Sequence, residues 1–275
     1  MSASAELSAR ERTIGGLHVE TFGPEEAPAL LFSAGLGGGG HYWMPQVEAF
    51  ARDHRVILYD HRGTGRSARG ELPRPYAVSH LAADIAMVLD GLDIERAHIV
   101  GHAAGGLAAL ELARTAPDRV VSIAVVNGWA LAEPYLLRCF SIRRALYESG
   151  GADAYLTAQP LFLYPAGWIS ERLGDLDRER AHQRDGFQDR ATLYARMASL
   201  ESFDISEDLE RIACPALLVV AEDDMLVPPK ASRALADGLP KARLVSLPQG
   251  GHAINVTAPE AFNAALRGFL DDLGN

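Results

Sequence analysis

The stretch "IVGHAAGGLAALEL" (residues 99–112) decides how this chain is read. A short apolar run enters a glycine-lined turn and leaves it as a helix-forming series of alanines and leucines. In the pattern G-x-S-x-G, such a strand–turn–helix corner presents a nucleophilic serine at its apex. Here Gly101 and Gly105 supply the framework, but the apex is Ala103. The turn has the glycines a sharp elbow needs and lacks the side chain that would attack. Taken alone it reads equally as a tightly packed corner, so its surroundings must decide.

On either side, aliphatic and β-branched runs alternate with amphipathic stretches. The first half contains "LHVETF" (17–22), "ALLFSA" (29–34), "RVILYD" (55–60), "AHIVG" (97–101) and "VSIAVVN" (121–127). Between the third and fourth runs, Leu81, Ile85, Val88, Leu89 and Leu92 recur at helical spacing. Strand–helix–strand repeats of this kind predict an α/β fold, with a mostly parallel, doubly wound sheet covered on both faces. After Trp129 the alternation stops. Residues 130–205 interleave aromatics and arginines without a strand pattern and read as a helical lid inserted after the strand ending near Asn127. "ALLVVAE" (216–222), "KASRALADGL" (230–239) and "ARLVSL" (242–247) resume the alternation, and a last helix begins near Pro259. The expected layout is a core of residues 13–129 and 206–275, the lid at 130–205, and a disordered or extended terminus over 1–12.

Composition narrows the partners. The 275 residues carry a formal net charge of −10, which disfavours nucleic acid and anionic membrane surfaces. No apolar signal segment opens the sequence, no apolar run is long enough to span a bilayer, and the two cysteines are far apart. A cytoplasmic protein acting on a small molecule is expected, with a homodimer the one assembly considered.

Three turns at strand ends carry chemistry, and in such a sheet ligands bind outside the carboxyl ends of the strands. "SAGLGGGGHYW" (33–43) follows the second core strand and can point backbone N–H groups at a ligand. Gly35, Gly37 and Gly40, with Asp60 ending the next strand, also spell a dinucleotide fingerprint. That reading is set aside because Asp60 opens a second glycine turn, "DHRGTGRS", and nothing downstream resembles a dehydrogenase. The second turn is the elbow. The third is a pair: Asp224 in "VVAEDDMLVPP" follows one apolar strand, and His252 in "LPQGGHAINV" follows the next. Elbow, acid, histidine is the chain order of α/β-hydrolases. Asp224 is preferred over Asp223 because it begins D-x-x-V-P. The fold predicted is therefore an α/β-hydrolase, with His252 and Asp224 catalytic, Ala103 at the nucleophile position, and the N–H groups of Leu36 and Ala104 as an oxyanion hole. Asn127, Trp129 and Trp168 are candidate substrate contacts. No histidine or cysteine spacing suggests a metal site, and no cofactor is expected. His102 reads as a packing and hydrogen-bonding residue, and His18, His54, His80 and His182 as solvent-facing; Arg143 and Arg144 could neutralise a carboxylate substrate, but a solvated helix face explains them more simply.

Beyond the fold, the chain resembles the D-type hydrolases of the bacterial Rut pathway of uracil degradation. The resemblance runs from about residue 28 to near the end, through "GLGGGGHYW" (35–43), "YDHRGTGRS" (59–67), "VNGW" (126–129), "RCFSIRRALYESGG" (138–151), "AQPLFLYPAGW" (158–168), "DDMLVP" (223–228) and "GGHAINVTAPEAFNA" (250–264). The lid segments are its specific part, since the core turns belong to a large superfamily. The resemblance implies a natural alanine in the Gly101–His102–Ala103 elbow, and cleavage of a small C–N compound, carbamate or 3-aminoacrylate, with release of ammonia.

Without serine, a covalent acyl-enzyme through residue 103 is excluded, because a methyl group cannot attack. A histidine oriented by an acid can still activate water, worth about 10² to 10⁴ in rate. Triad enzymes stripped of a member keep roughly 10³ to 10⁴ over water through the oxyanion hole and binding. That suits a substrate that is already labile. Two other readings stay open at this level: a serine ester or C–C hydrolase whose serine was replaced by engineering, and a non-catalytic binding protein on the same fold.

Overall fold

A computed structural model describes residues 8–274. Strands β1 (Arg10–Ile14), β2 (Leu17–Phe22), β3 (Ala29–Ser33), β4 (Arg55–Tyr59), β5 (Ala97–His102), β6 (Val120–Val126), β7 (Ala216–Ala221) and β8 (Ala242–Leu247) form one sheet in the order β1-β2-β4-β3-β5-β6-β7-β8. From β3 to β8 every pairing is parallel, while β1 and β2 add an antiparallel ribbon along the β4 edge. The order turns back at β3, which lies between β4 and β5. The loops after β3 and β5 therefore leave in opposite directions and open a crevice at their carboxyl ends.

Alternation along the strands sorts the core into two layers. Leu31, Ile57, Ile99, Ile123 and Leu218 pack on one face against α2 (Val78–Gly91), α3 (Ala104–Thr115) and α7 (Pro229–Gly238). Leu30, Phe32, Leu58, Val100 and Val219 pack on the other against α1 (Met44–Phe50) and α9 (Pro259–Asp272), which the short α8 (Ile254–Thr257) precedes. Ten successive residues of α3, Ala104–Ala113, are buried, so its alanines are the small side chains a helix enclosed on all sides requires.

β1 is a strand the apolar pattern does not reveal. Its sequence "RERTI" is exposed or nearly so, and a two-residue turn at Gly15 and Gly16, both at positive φ (54° and 84°), folds it onto β2. Of the terminus expected to be disordered or extended, residues 1–7 lie outside the described residues and 10–12 are in β1.

Between β6 and β7 stand α4 (Pro134–Leu163), α5 (Ala166–Asp185) and α6 (Arg190–Glu201). α4 is broken at Gly150 and Gly151, the latter at φ 65°. The two ends of this helical segment meet in a bridge between Leu131 and Asp204, with Ile205 N–H donating to the Ala130 carbonyl at 3.0 Å. Among the described residues no helix is long and apolar enough to cross a membrane.

Candidate active site

The elbow is built as the glycine pattern requires. Ala103 sits between β5 and α3 at φ 45°, ψ −110°, a conformation strained for any L-residue. A Cβ on Gly101 would lie 2.2 Å from the Gly105 carbonyl carbon, and one on Gly105 would lie 2.1 Å from the Ser33 carbonyl oxygen. Both positions are thus closed to any side chain, and their closure lets α3 start directly against β3. Ala103 N–H is tied to the Val126 carbonyl at 2.9 Å. Ala104 is the first residue of α3, so its N–H has no intrahelical partner.

Asp224 and His252, 28 positions apart, meet behind the elbow. His252 Nδ1 donates to Asp224 Oδ2 at 2.8 Å, and both residues are buried. The other carboxylate oxygen of Asp224 accepts from the N–H groups of Leu226 (2.7 Å) and Val227 (2.9 Å). Three hydrogen bonds thus fix the carboxylate. They also require that Nδ1 of His252 carry a proton, which leaves the Nε2 lone pair as the basic atom of the neutral ring. Asp223, the less favoured acid, accepts instead from Gly251 N–H at 2.8 Å and holds the histidine loop.

Two side chains grip the main chain of that loop. His102 Nε2 donates to the His252 carbonyl at 2.8 Å, and Asn127 Nδ2 donates to the same oxygen at 2.7 Å. Asn127 Oδ1 accepts from Ala221 N–H at 3.1 Å. The amide of Asn127 is therefore fully engaged with backbone, and it ties β6, β7 and the histidine loop together instead of facing a substrate. Burial pushes His102 well below the usual imidazole range, so it is neutral. It stacks on Tyr42 (5.0 Å between rings), whose hydroxyl donates to Asn255.

Other sequence expectations separate in the same way. Trp129 is buried in the core and its Nε1–H is without a partner among the described residues. Trp168 packs on Tyr164 (4.6 Å) and under the guanidinium of Arg172 (4.8 Å), half-buried on α5. Asp60 accepts from Gly40 N–H (2.7 Å), Arg66 N–H (2.8 Å) and Arg66 Nε (3.0 Å). It pins the two glycine turns to each other and has no role left for a ribose. His54 is buried, not solvent-facing, against Phe50 and Asp53. Arg144 pairs with Glu201 through both guanidinium nitrogens, but Arg143 is buried, which overturns its placement on a solvated face.

Arg196 and His61 are site neighbours that motif reading missed. Arg196 Nη2, reaching in from α6, donates to the Leu36 carbonyl (3.1 Å) and to His61 Nδ1 (2.8 Å). Gln188 Nε2 reaches the same carbonyl at 3.2 Å, so the helical segment clamps the glycine loop at the residue expected to supply an oxyanion donor. Burial and the Arg196 charge push His61 well below its usual range. The signal was present in the spacing. Arg196 shares the stripe Leu193–Met197–Leu200, and Arg143 the stripe Leu136–Cys139–Phe140, so each is an arginine where the helix period calls for an apolar residue. Elsewhere, Glu11, His18 and Glu20 bring ligand atoms within 4.8 Å of one another on the β1–β2 ribbon, but both oxygens of Glu20 are taken by Arg66.

Comparison with known proteins agrees with this fold. The family model of the alpha/beta hydrolase fold matches residues 28–157 and 174–259. A protein of Caulobacter sp. strain K31 is 50% identical over 260 residues, covering 94% of this chain and 97% of its own, and carries the provisional name carbamate hydrolase RutD. One of Pseudomonas syringae pv. syringae strain B728a, under the same name, is 47% identical, covering 89% and 94%. Among solved structures, a hydrolase from Pseudomonas aeruginosa PA01 superposes with a TM-score of 0.85 at 27% identity, covering 98% of this chain and 99% of that one. The enol-lactonase from Burkholderia xenovorans LB400 gives 0.83 at 27%, covering 95% and 100%. With the elbow, the acid and the histidine in hydrolase order and relatives this close over nearly the full length, the chain belongs to the RutD family of α/β-hydrolases.

Proposed function

We propose that the chain hydrolyses a small, labile C–N compound, carbamate or 3-aminoacrylate, with release of ammonia in uracil catabolism, using water activated by His252. The observation that carries this reading is the intact Asp224–His252 hydrogen bond (2.8 Å) beside an elbow whose apex is alanine. A site with no use for a base has no need of that bond, and a site without a nucleophile must use water. Nε2 of His252 takes a proton as the water oxygen bonds to the C–N carbon. The Leu36 and Ala104 N–H groups stabilise negative charge on an oxygen of the substrate, as oxyanion-hole donors do. The proton then passes to the departing nitrogen as the C–N bond breaks. Carbamate plus water gives bicarbonate and ammonia; 3-aminoacrylate plus water gives ammonia and the enol of 3-oxopropanoate, which becomes the aldehyde as its O–H proton moves to C2.

The test is ammonia release from freshly generated 3-aminoacrylate and from carbamate, above the spontaneous rate, with the wild-type chain and His252→Ala. Turnover lost in the variant supports the reading. Equal rates with both proteins overturn it, and equality with buffer alone points to a binding role for the fold.

A further inference from the structure

Among the described residues, Arg143 and Arg196 are the arginines that are buried, at 4% and 2% exposure, and both come from the helical segment between β6 and β7. A guanidinium stays charged and carries five N–H donors. Arg196 engages only Nη2; its Nε and Nη1 reach no acceptor, and neither does Nε of Arg143. Nη2 of Arg143 donates to the Tyr155 hydroxyl. Neither guanidinium is in a salt bridge of 4.0 Å or less among the described residues, although Arg144 beside them is. Asp84 is the carboxylate whose charge acts on Arg196; its Oδ1 is held by Arg62 at 2.6 Å and its Oδ2 is buried without a partner. A buried guanidinium that makes no ion pair and leaves donors idle is strongly unfavourable, so two such groups mark a place for an anion.

The two arginines approach different loops of the site. Arg196 holds Leu36 on the glycine-loop side. Arg143 lies one helical turn from Cys139, whose Sγ is 4.0 Å from the carbonyl of Met225, the residue after Asp224. Tyr155 links them, bonded to Arg143 and acting electrostatically on Arg196. The rings of Tyr155 and Phe162 lie 4.9 and 5.6 Å from the Arg143 guanidinium and keep it dry. The Tyr76 hydroxyl and Gln188 Oε1 are also buried without partners, as is Oδ2 of Asp84, and Gln188 shares the Leu36 carbonyl with Arg196.

We propose that Arg143 and Arg196 form a carboxylate-binding subsite that holds the carboxylate of 3-aminoacrylate, the one of the two substrates whose anionic end is separate from its C–N carbon, while that carbon lies between Ala103 and His252. The subsite rests on the proposed function for where the reacting carbon lies, but not for the binding itself. Its idle donors are closed to solvent here, so the ligand enters by a shift of α4–α6.

Calorimetric titration with acrylate, a three-carbon carboxylate with no leaving amine, and with its neutral counterpart acrylamide tests this on the full chain. Acrylate is expected to bind at least tenfold more tightly than acrylamide, equally in wild type and His252→Ala. Arg143→Gln and Arg196→Gln each weaken it tenfold or more, and Arg196→Lys less. Equal affinity for the two ligands overturns the subsite, as does unchanged acrylate binding in a folded Arg143→Gln protein. Chloride binding as tightly as acrylate also overturns it, marking a counter-ion. If Arg196→Gln fails to fold, because it releases Leu36 and His61, Arg143→Gln and the wild-type ligand ratio still decide. Turnover that survives His252→Ala sinks the general-base reading alone, since acrylate binding is measured without turnover.

Discussion

Replacing Asp224 by asparagine changes one atom at the centre of the site, and its effect follows from the hydrogen bonds already formed. Oδ1 of Asp224 accepts from the N–H groups of Leu226 and Val227 at 2.7 and 2.9 Å, and both donors persist in Asp224→Asn. The amide oxygen must therefore stay at that position, which puts the NH₂ group where Oδ2 faced Nδ1 of His252 at 2.8 Å. Nδ1 then has to accept, the ring proton moves to Nε2, and the atom meant to take a proton from water no longer has a lone pair. The general-base contribution, about 10² to 10⁴ in rate, is lost. That corresponds to roughly 2.7 to 5.4 kcal/mol of barrier at 1.36 kcal/mol per tenfold. The backbone bonds are kept, so stability should change little. Initial rates of ammonia release over pH 6–9, with urea unfolding as the control, measure both quantities. Asp224→Asn should fall within about tenfold of His252→Ala. Should it keep a tenth or more of wild-type kcat while His252→Ala is inactive, Asp224 does not orient the base, and the reasoning from the hydrogen bonds fails.

Three further outcomes follow from the geometry. Ala103→Ser places a hydroxyl at the elbow and should give burst-phase acyl-enzyme formation with p-nitrophenyl acetate; a folded variant with no burst shows that Ala103 is not a nucleophile position. Gly105→Ala drives a methyl to 2.1 Å from the Ser33 carbonyl, which cannot swing away as a side chain can, so the loss should reach the top of the overpacking range, about 3 kcal/mol or more in urea unfolding. Gly39→Ala, with nothing within 4 Å of the new methyl, is the near-neutral control, and similar values for the two refute the packing account. His61 and His102 are held neutral chiefly by burial, with folded pKa values below the unfolded one near 6.5. Below about pH 6.5 the unfolded chain gains protons the folded chain refuses, so stability present above that pH is lost as pH falls, at up to about 1.4 kcal/mol per unit per histidine. Urea midpoints that stay level from pH 7.5 to 5.5 would contradict this.

The sequence by itself determined the sheet and the order of its functional turns. Strands buried on both faces must be apolar throughout, and α3 must be small-sided, so the hydrophobic pattern at 97–113 carries the elbow without help from tertiary structure. Gly101 and Gly105 were legible for the same reason, because no other residue fits where a Cβ would meet backbone at 2.2 and 2.1 Å. Asp224 and His252 stood out because each follows an apolar strand in hydrolase order. β1 was not legible, because an edge ribbon of alternating charged residues buries too little to leave a pattern. The tethering role of Asn127 is not legible in sequence, since its place at a strand end says nothing of the Gly251 and His252 carbonyls and the Ala221 N–H that its amide meets.

Only the tertiary structure decided what the arginines do. A side chain's charge is local, but whether that charge has a partner depends on segments far away in sequence. Arg196 is 160 positions from the Leu36 carbonyl it holds, and nothing near it in the chain announces that contact. Its helix stripe shows that it turns inward. That two of its nitrogens then find no acceptor is a property of the assembled interior, as is the burial of Arg143 on what the sequence offers as a solvated face.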